Sequence, residues 1–221
     1  MELGELIKML AQGTLETLYM TLVSTLFAYI VGLPIALILL LTRKDGLLPQ
    51  NIVYQILNFI VNSIRSVPFL ILLIAVIPFT TWVVGRSYGS TATIVPLVIA
   101  SAPYVARVIE ASLLEVDQGV VEAAQSMGAS PLQIMWKVLL PEARSSLLSG
   151  ATISLGAILG YSAMAGIIGG GGLGDIAIRF GYYRYQTGIM FITVVLLSVL
   201  VQVIQAAGMR LARASDKRLK E

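Results

Sequence analysis

The chain contains no cysteine and no histidine. That removes disulfides, thiol nucleophiles and the usual zinc ligands, and it leaves the redox compartment open. Charge is scarce as well: 12% of the 221 residues are Asp, Glu, Lys or Arg, whereas 57% are hydrophobic. A soluble domain carries about twice that share of charge, so the solvent for most of this chain is lipid. Two further absences narrow the chemistry. No GxxxxGK[ST] run occurs, so ATP is not held through that phosphate-cradling loop. No Asp or Glu lies deep in an apolar run, Glu16 at an edge being the nearest, and a proton-coupled carrier normally needs one. A cleavable signal peptide is not expected, because residues 1–12 start acidic and the apolar run behind them is too long.

What is present is a series of apolar runs. Near the start, Leu3, Leu6, Ile7 and Leu10 recur at helical spacing against Glu2, Glu5 and Lys8, which predicts a short helix lying flat in the membrane interface and closed by Gly13-Thr14. Crossing the hydrocarbon takes about 20 apolar residues. The spans expected on that basis are residues 15–41, interrupted by Gly32 and Pro34; 56–77, carrying Arg65 and Pro68; 91–109, broken by Pro96 and Pro103; 147–168; and 188–209. Pro78 and Gly85 mark a loop after the second. The fourth is dense in small residues, and its small-xxx-small pairs, Gly156 with Gly160 and Ser162 with Gly166, let helix backbones approach closely. The fold class is therefore all-α: a polytopic membrane protein with five transmembrane helices. Its parts are an N-terminal interfacial segment (1–13), a membrane domain (14–209) and a basic tail (210–221).

Five spans put the termini on opposite sides, and Lys and Arg decide which side is inside. With the loop at 110–146 inside, that side holds Arg43, Lys44, Arg107, Lys137, Arg144, Arg210, Arg213, Lys217, Arg218 and Lys220. The other holds only Lys8, Arg86, Arg179 and Arg184. The N-terminus is expected outside and the C-terminus in the cytoplasm.

The loop itself reads as two short helices with a hinge. Asp117 is placed to cap the first, which stops at Gly128; Ser130-Pro131-Leu132-Gln133 opens the second with the signature of a capping box. Val120, Ala123, Ala124 and Met127 share one face, leaving Glu122, Gln125 and Ser126 on the other. So shallow a face lets another protein come close to the backbone.

Three other features invite chemical readings. Gly169, Gly171 and Gly174 spell GxGxxG, but a membrane helix stands where a dinucleotide fold needs a strand, so the glycines are read as backbone freedom in an outer loop that reshapes or touches a partner. Gly160-Tyr161-Ser162-Ala163-Met164 nearly spells the GxSxG nucleophile elbow, yet Met164 replaces the second glycine and no histidine exists to act as base. Packing is the default role for these residues; lining a pathway with a hydroxyl and a thioether is the alternative. Arg65 is the one ionisable residue well inside a span. Either it snorkels to the inner headgroups, about 14 Å along a helix starting near Ile56, or it makes a pathway or inter-helix ion pair, with Glu110 the candidate partner.

Glu122-Ala123-Ala124, then Gly128-Ala129, then the apolar run ending at Leu140-Pro141 resembles the EAA loop of permease subunits of bacterial ABC importers. Further blocks occur in the same order as in methionine importer permeases: Asn62 to Phe69, Ala102 to Arg107, Gly160 to Met164, and Gly170 to Gly174. The resemblance implies the type I permease fold, a second copy of the chain, two cytoplasmic ABC ATPase subunits and an extracytoplasmic methionine-binding receptor, often a lipoprotein. It implies that Glu122, Ala123, Ala124, Gly128 and Ala129 couple the permease to the ATPase, and it makes Tyr161, Ser162 and Met164 candidates for the substrate pathway, to which Arg65 is added as the one charge inside a span. Neither a cofactor nor a metal nor nucleic acid is implied, and no catalysis by this chain. A permease for another amino acid or small solute is the nearest alternative; a secondary transporter or an intramembrane enzyme is more distant.

Overall fold

Helix α1 runs without a break from Leu3 to Thr42 in a computed structural model that describes residues 3–215. Glu2, and Lys217, Arg218 and Lys220 of the basic tail, lie outside the described residues. The turn expected at Gly13-Thr14 is absent, and with it the separate flat helix over residues 1–12. Gly13 serves contact instead: a Cβ there would stand 2.4 Å from Ile176 Cδ1 and 3.4 Å from the backbone of Gly172 and Leu173. Leu6, Met9 and Leu10 are covered in the same way, packed on Leu173, Ile176 and Ile189. Gly32 also marks close approach rather than interruption, since its Cβ would meet Ala102 O at 2.9 Å. Between lipid-embedded helices apolar burial gives little driving force, so such contacts do much of the holding.

The expected second span is not one helix. The chain breaks at Val67-Pro68 between α2 (Asn51–Ser66) and α3 (Phe69–Ala75), and these make a span only as a bent pair. Pro78 opens α4 (Ile77–Val84) rather than marking a loop, and Gly85 at φ +79 closes it. Conversely, α5 (Ser90–Leu114) continues through both Pro96 and Pro103. Packing accounts for the difference. Val61 is the one buried residue of α2, whereas 56% of the apolar window of α5 is buried, so its neighbours hold that helix together where proline removes a bond.

Beyond α5 come α6 (Gln118–Ser126), α7 (Pro131–Ile134), a π-helical turn (Met135–Leu139) and α8 (Leu140–Glu142). Then follow α9 (Arg144–Met164), a 3-10 turn (Ala165–Ile168), α10 (Gly172–Ile176), a π-helical turn (Ala177–Tyr182) and α11 (Thr187–Ser215). No strand occurs among the described residues, so the all-α expectation holds. Four helical stretches are long and apolar enough to cross a membrane, five with the bent pair. The contacts define two units. One takes in the described parts of Met1–Ala28, Val67–Ser101 and Leu155–Gln205; the other those of Tyr29–Ser66, Ala102–Ser154 and Ala206–Glu221.

Within the first unit Met20, Phe69, Leu73, Leu97 and Ala165 form a buried cluster. The glycine-rich stretch belongs to this unit and is not a free loop: every residue from Gly172 to Ile176 is buried. Glu16 Oε2 accepts the Gly172 N–H at 2.8 Å, and Thr17 Oγ1 accepts the Leu173 N–H at 2.9 Å. Thr93 donates its hydroxyl to Gly170 O at 3.2 Å. The first-turn donors that a dinucleotide would need are thus taken by the protein's own side chains. Gly166 and Gly174 meet backbone to backbone, the Cβ of the former falling 2.3 Å from the Gly174 carbonyl carbon. Of the expected small-residue pairs, Gly156 receives Gln205 at 3.0 Å, while Gly160 has nothing within 4 Å.

Candidate functional site

The segment between α5 and α9 builds its helices from the caps legible in its sequence. Asp117 is the N-cap of α6, and its carboxylate accepts the Gly119 N–H at 2.7 Å, satisfying a donor that the helix leaves orphaned. The helix closes where Gly128 takes φ +77, the left-handed conformation that glycine adopts at least cost. Ser130 then caps α7 reciprocally: its hydroxyl accepts the Gln133 N–H at 3.3 Å, and Gln133 Oε1 accepts the Ser130 N–H at 2.8 Å, with Pro131 in the first turn. These bonds are internal to the segment, so its shape is set locally.

The face of α6 differs from the expected one. Ala124 is only 5% exposed and Val121 beside it is half-buried, so this side seats the helix on the chain's own core. Val120, Ala123 and Met127 form a separate stripe about 100° round the helix, and all three are exposed, Met127 by 81%. Of the residues nominated for coupling, Glu122, Ala123 and Gly128 are therefore accessible, Ala129 is half-buried and Ala124 is not accessible. Val120 and Met127, absent from that set, are large apolar residues exposed by 42% and 81%. Leu132 and Trp136, one turn apart on α7 and its π-helical continuation, add exposed apolar surface. Large apolar residues gathered on so short an exposed segment mark a surface that a partner protein or the membrane covers.

The pathway residues on α9 diverge. Ser162 is buried, and its hydroxyl donates to Leu159 O at 2.8 Å within its own helix, which removes it from any exposed lining. Tyr161 is half-buried and stacks on Phe69, ring centroids 4.6 Å apart at 12°. Met164, three residues on, is 50% exposed. Tyr161 and Met164 share a helix face that Ser162 does not.

In the second unit, Arg65 lies exposed in the last turn of α2, where a cation complements the helix dipole. Glu110 is not its partner. Arg107 takes that carboxylate at 2.6 Å, and its other nitrogen donates to Asn58 and, at 3.1 Å, to Asn62. Glu110 is 6% exposed, so the pair is the desolvated kind that holds only when fully hydrogen-bonded, and here the two asparagines of α2 complete it. The spacing of Arg107 and Glu110 on one helix was the available signal.

These observations define a class: an all-α, multi-pass membrane protein that offers a self-capped, exposed helix pair in a loop between two spans. The sequence profile of binding-protein-dependent transport system inner membrane components matches residues 28–221, and the chain belongs to that family. It is 52% identical over 210 residues to a Vibrio cholerae protein named probable D-methionine transport system permease protein MetI, covering 95% of this chain and 93% of that one. To the D-methionine transport system permease protein MetI of Escherichia coli K12 it is 48% identical over 158 residues, 72% and 73% of the two chains. A chain of the inward-facing MetNI methionine ABC transporter superposes with a TM-score of 0.95 at 45% identity, covering 98% of this chain and all of that one. A chain of an amino acid ABC transporter with histidines, 24% identical, superposes at 0.79 over 97% and 99%, a likeness of fold alone.

Proposed function

We propose that this chain is the permease subunit of an ATP-driven importer that moves methionine across the bacterial inner membrane by alternating access. The observation that carries the reading is the superposition on the MetNI methionine transporter along nearly the whole chain. The chain works with a second copy of itself, two cytoplasmic ATPase subunits that hydrolyse ATP, and an extracytoplasmic methionine-binding receptor. The Lys and Arg distribution supports an outside N-terminus and a cytoplasmic C-terminus, with residues 110–146 as the inner coupling loop of the membrane domain.

In this mechanism ATP closes the two ATPase subunits, α6 and its partner copy are carried together, and the paired permeases rock from inward- to outward-facing. Val120, Ala123 and Met127 are the contact stripe, Glu122 the charged rim and Gly128 the hinge; Ala124 and Ala129 seat the helix. Tyr161 and Met164 are the pathway candidates on α9, and Arg65 the candidate on α2. The test is uptake of radiolabelled methionine by proteoliposomes holding the permease and its ATPase, with receptor outside and ATP inside. Uptake that requires all three components is expected. Uptake without the ATPase would refute the reading, and preference for a different amino acid would replace its substrate.

A further inference from the structure

The turn Tyr182–Gln186 joins two stretches long and apolar enough to span a bilayer, Arg144–Tyr182 and Thr187–Ser215. Whichever way the chain is oriented, such a turn lies at a membrane–water boundary. The span that it leads into is also the one least covered by protein: 11% of the apolar window of α11 is buried, against 39% to 56% for the others. The chain's own packing leaves most of this helix's apolar surface open.

The turn is built to meet that boundary. Tyr182, Tyr183 and Tyr185 are 61%, 63% and 88% exposed. The Arg184 guanidinium sits over the Phe180 ring, 4.7 Å from its centre. Arg179 also lies by that ring, but it is engaged by Asp175 at 2.7 Å. Arg184 has no carboxylate partner among the described residues. Tyr185 stands at φ +56, where every other described residue with positive φ is a glycine. An L residue rarely adopts that conformation, and a strained backbone that keeps a large side chain pointing into solvent signals a use outside the chain.

We propose that Arg184, flanked by Tyr183 and Tyr185, grips the phosphate of a membrane phospholipid and so anchors the head of α11 at the bilayer surface. The guanidinium fork matches two phosphate oxygens, and tyrosine suits the boundary because its ring is apolar and its hydroxyl wet. The purified full chain, stripped of lipid in detergent and titrated with phosphatidylglycerol, tests this by native mass spectrometry. Arg184→Gln is expected to weaken lipid binding about tenfold, with Arg184→Lys intermediate. Tyr185→Gly should weaken it too while leaving the melting temperature equal or higher, because glycine relieves the strain; a purely structural tyrosine would lose both together. Inorganic phosphate should not compete, since it has no acyl chains to lie along α11. Unchanged lipid binding by Arg184→Gln overturns the proposal. So does equal competition by phosphate, which would make the turn a plain anion site, or loss of binding to a soluble receptor with lipid binding intact, which would make it a protein-docking surface.

Discussion

Residues 117–142 and residues 165–182 are made from the same parts: short helices, glycine joints and a π-helical turn. They use them to opposite ends. In the first, Gly128 has nothing within 4 Å of where its Cβ would be, and the hydrogen bonds of the caps stay inside the segment. In the second, Gly166, Gly172 and Gly174 all meet other atoms closer than a Cβ tolerates, and Glu16 and Thr17 hold its backbone from α1. A glycine that shapes a turn in open space belongs to a surface; a glycine that admits another backbone belongs to a core. The first segment can therefore present a face to a partner, while the second is part of the packing of its unit.

The sharpest way to break this contrast is Gly174→Ala. Its Cβ would fall 2.2 Å from Ala163 O, a backbone atom with no rotamer to change, so a loss of about 3 kcal/mol is expected as a fall in detergent melting temperature. Gly128→Ala meets only the cost of the left-handed conformation, about 1 kcal/mol. Equal effects would mean that the two segments are not different in kind. Next in size, Ala123→Trp or Met127→Asp should lower methionine uptake about 30-fold, as loss of an interface hot spot does, with the melting temperature unmoved. A bulky residue at Ala124 would not serve, because it would be driven into the chain's own core.

Glu16→Ala should cost about 1–2 kcal/mol by leaving the Gly172 N–H unpaired, and Glu16→Gln should recover most of it, since an amide oxygen also accepts that bond. The smallest effect belongs to Ser162→Ala. It removes a hydroxyl bonded only within its own helix, so stability should change by under about 1 kcal/mol and uptake kinetics not at all. Tyr161→Ala, by contrast, exposes the stacked Phe69 ring and should alter the uptake KM; kinetics identical to the unaltered chain would take Tyr161 out of the pathway.

The contrast also explains what was legible in the sequence. The caps at Asp117, Gly128 and Ser130 were readable to the residue because each is a bond between neighbours in the chain. The buried side of α6 was not: Val120 with Ala123 and Val121 with Ala124 are both apolar sectors, and only distant residues choose between them. Gly13 reads as a helix stop in isolation and becomes a contact only when Ile176 arrives from far along the chain. Pro68 and Pro96 are alike in sequence, yet the chain breaks at the first and α5 runs through the second, because packing rather than propensity decides. The partner of Glu110 is the opposite case: Arg107 lies one turn away on the same helix, so this pair was legible in the sequence, where Arg65 was offered as one alternative.

The absence of cysteine makes one measurement unusually direct. Met127→Cys supplies a single thiol on the exposed stripe of α6, to be challenged with a membrane-impermeant maleimide in intact cells and in inside-out vesicles, with and without the ATPase subunits. Labelling confined to inside-out vesicles and suppressed by the bound ATPase is the predicted result. Labelling from outside the cell, or labelling that the ATPase leaves untouched, would contradict the assignment of α6 as the element that the ATPase grips.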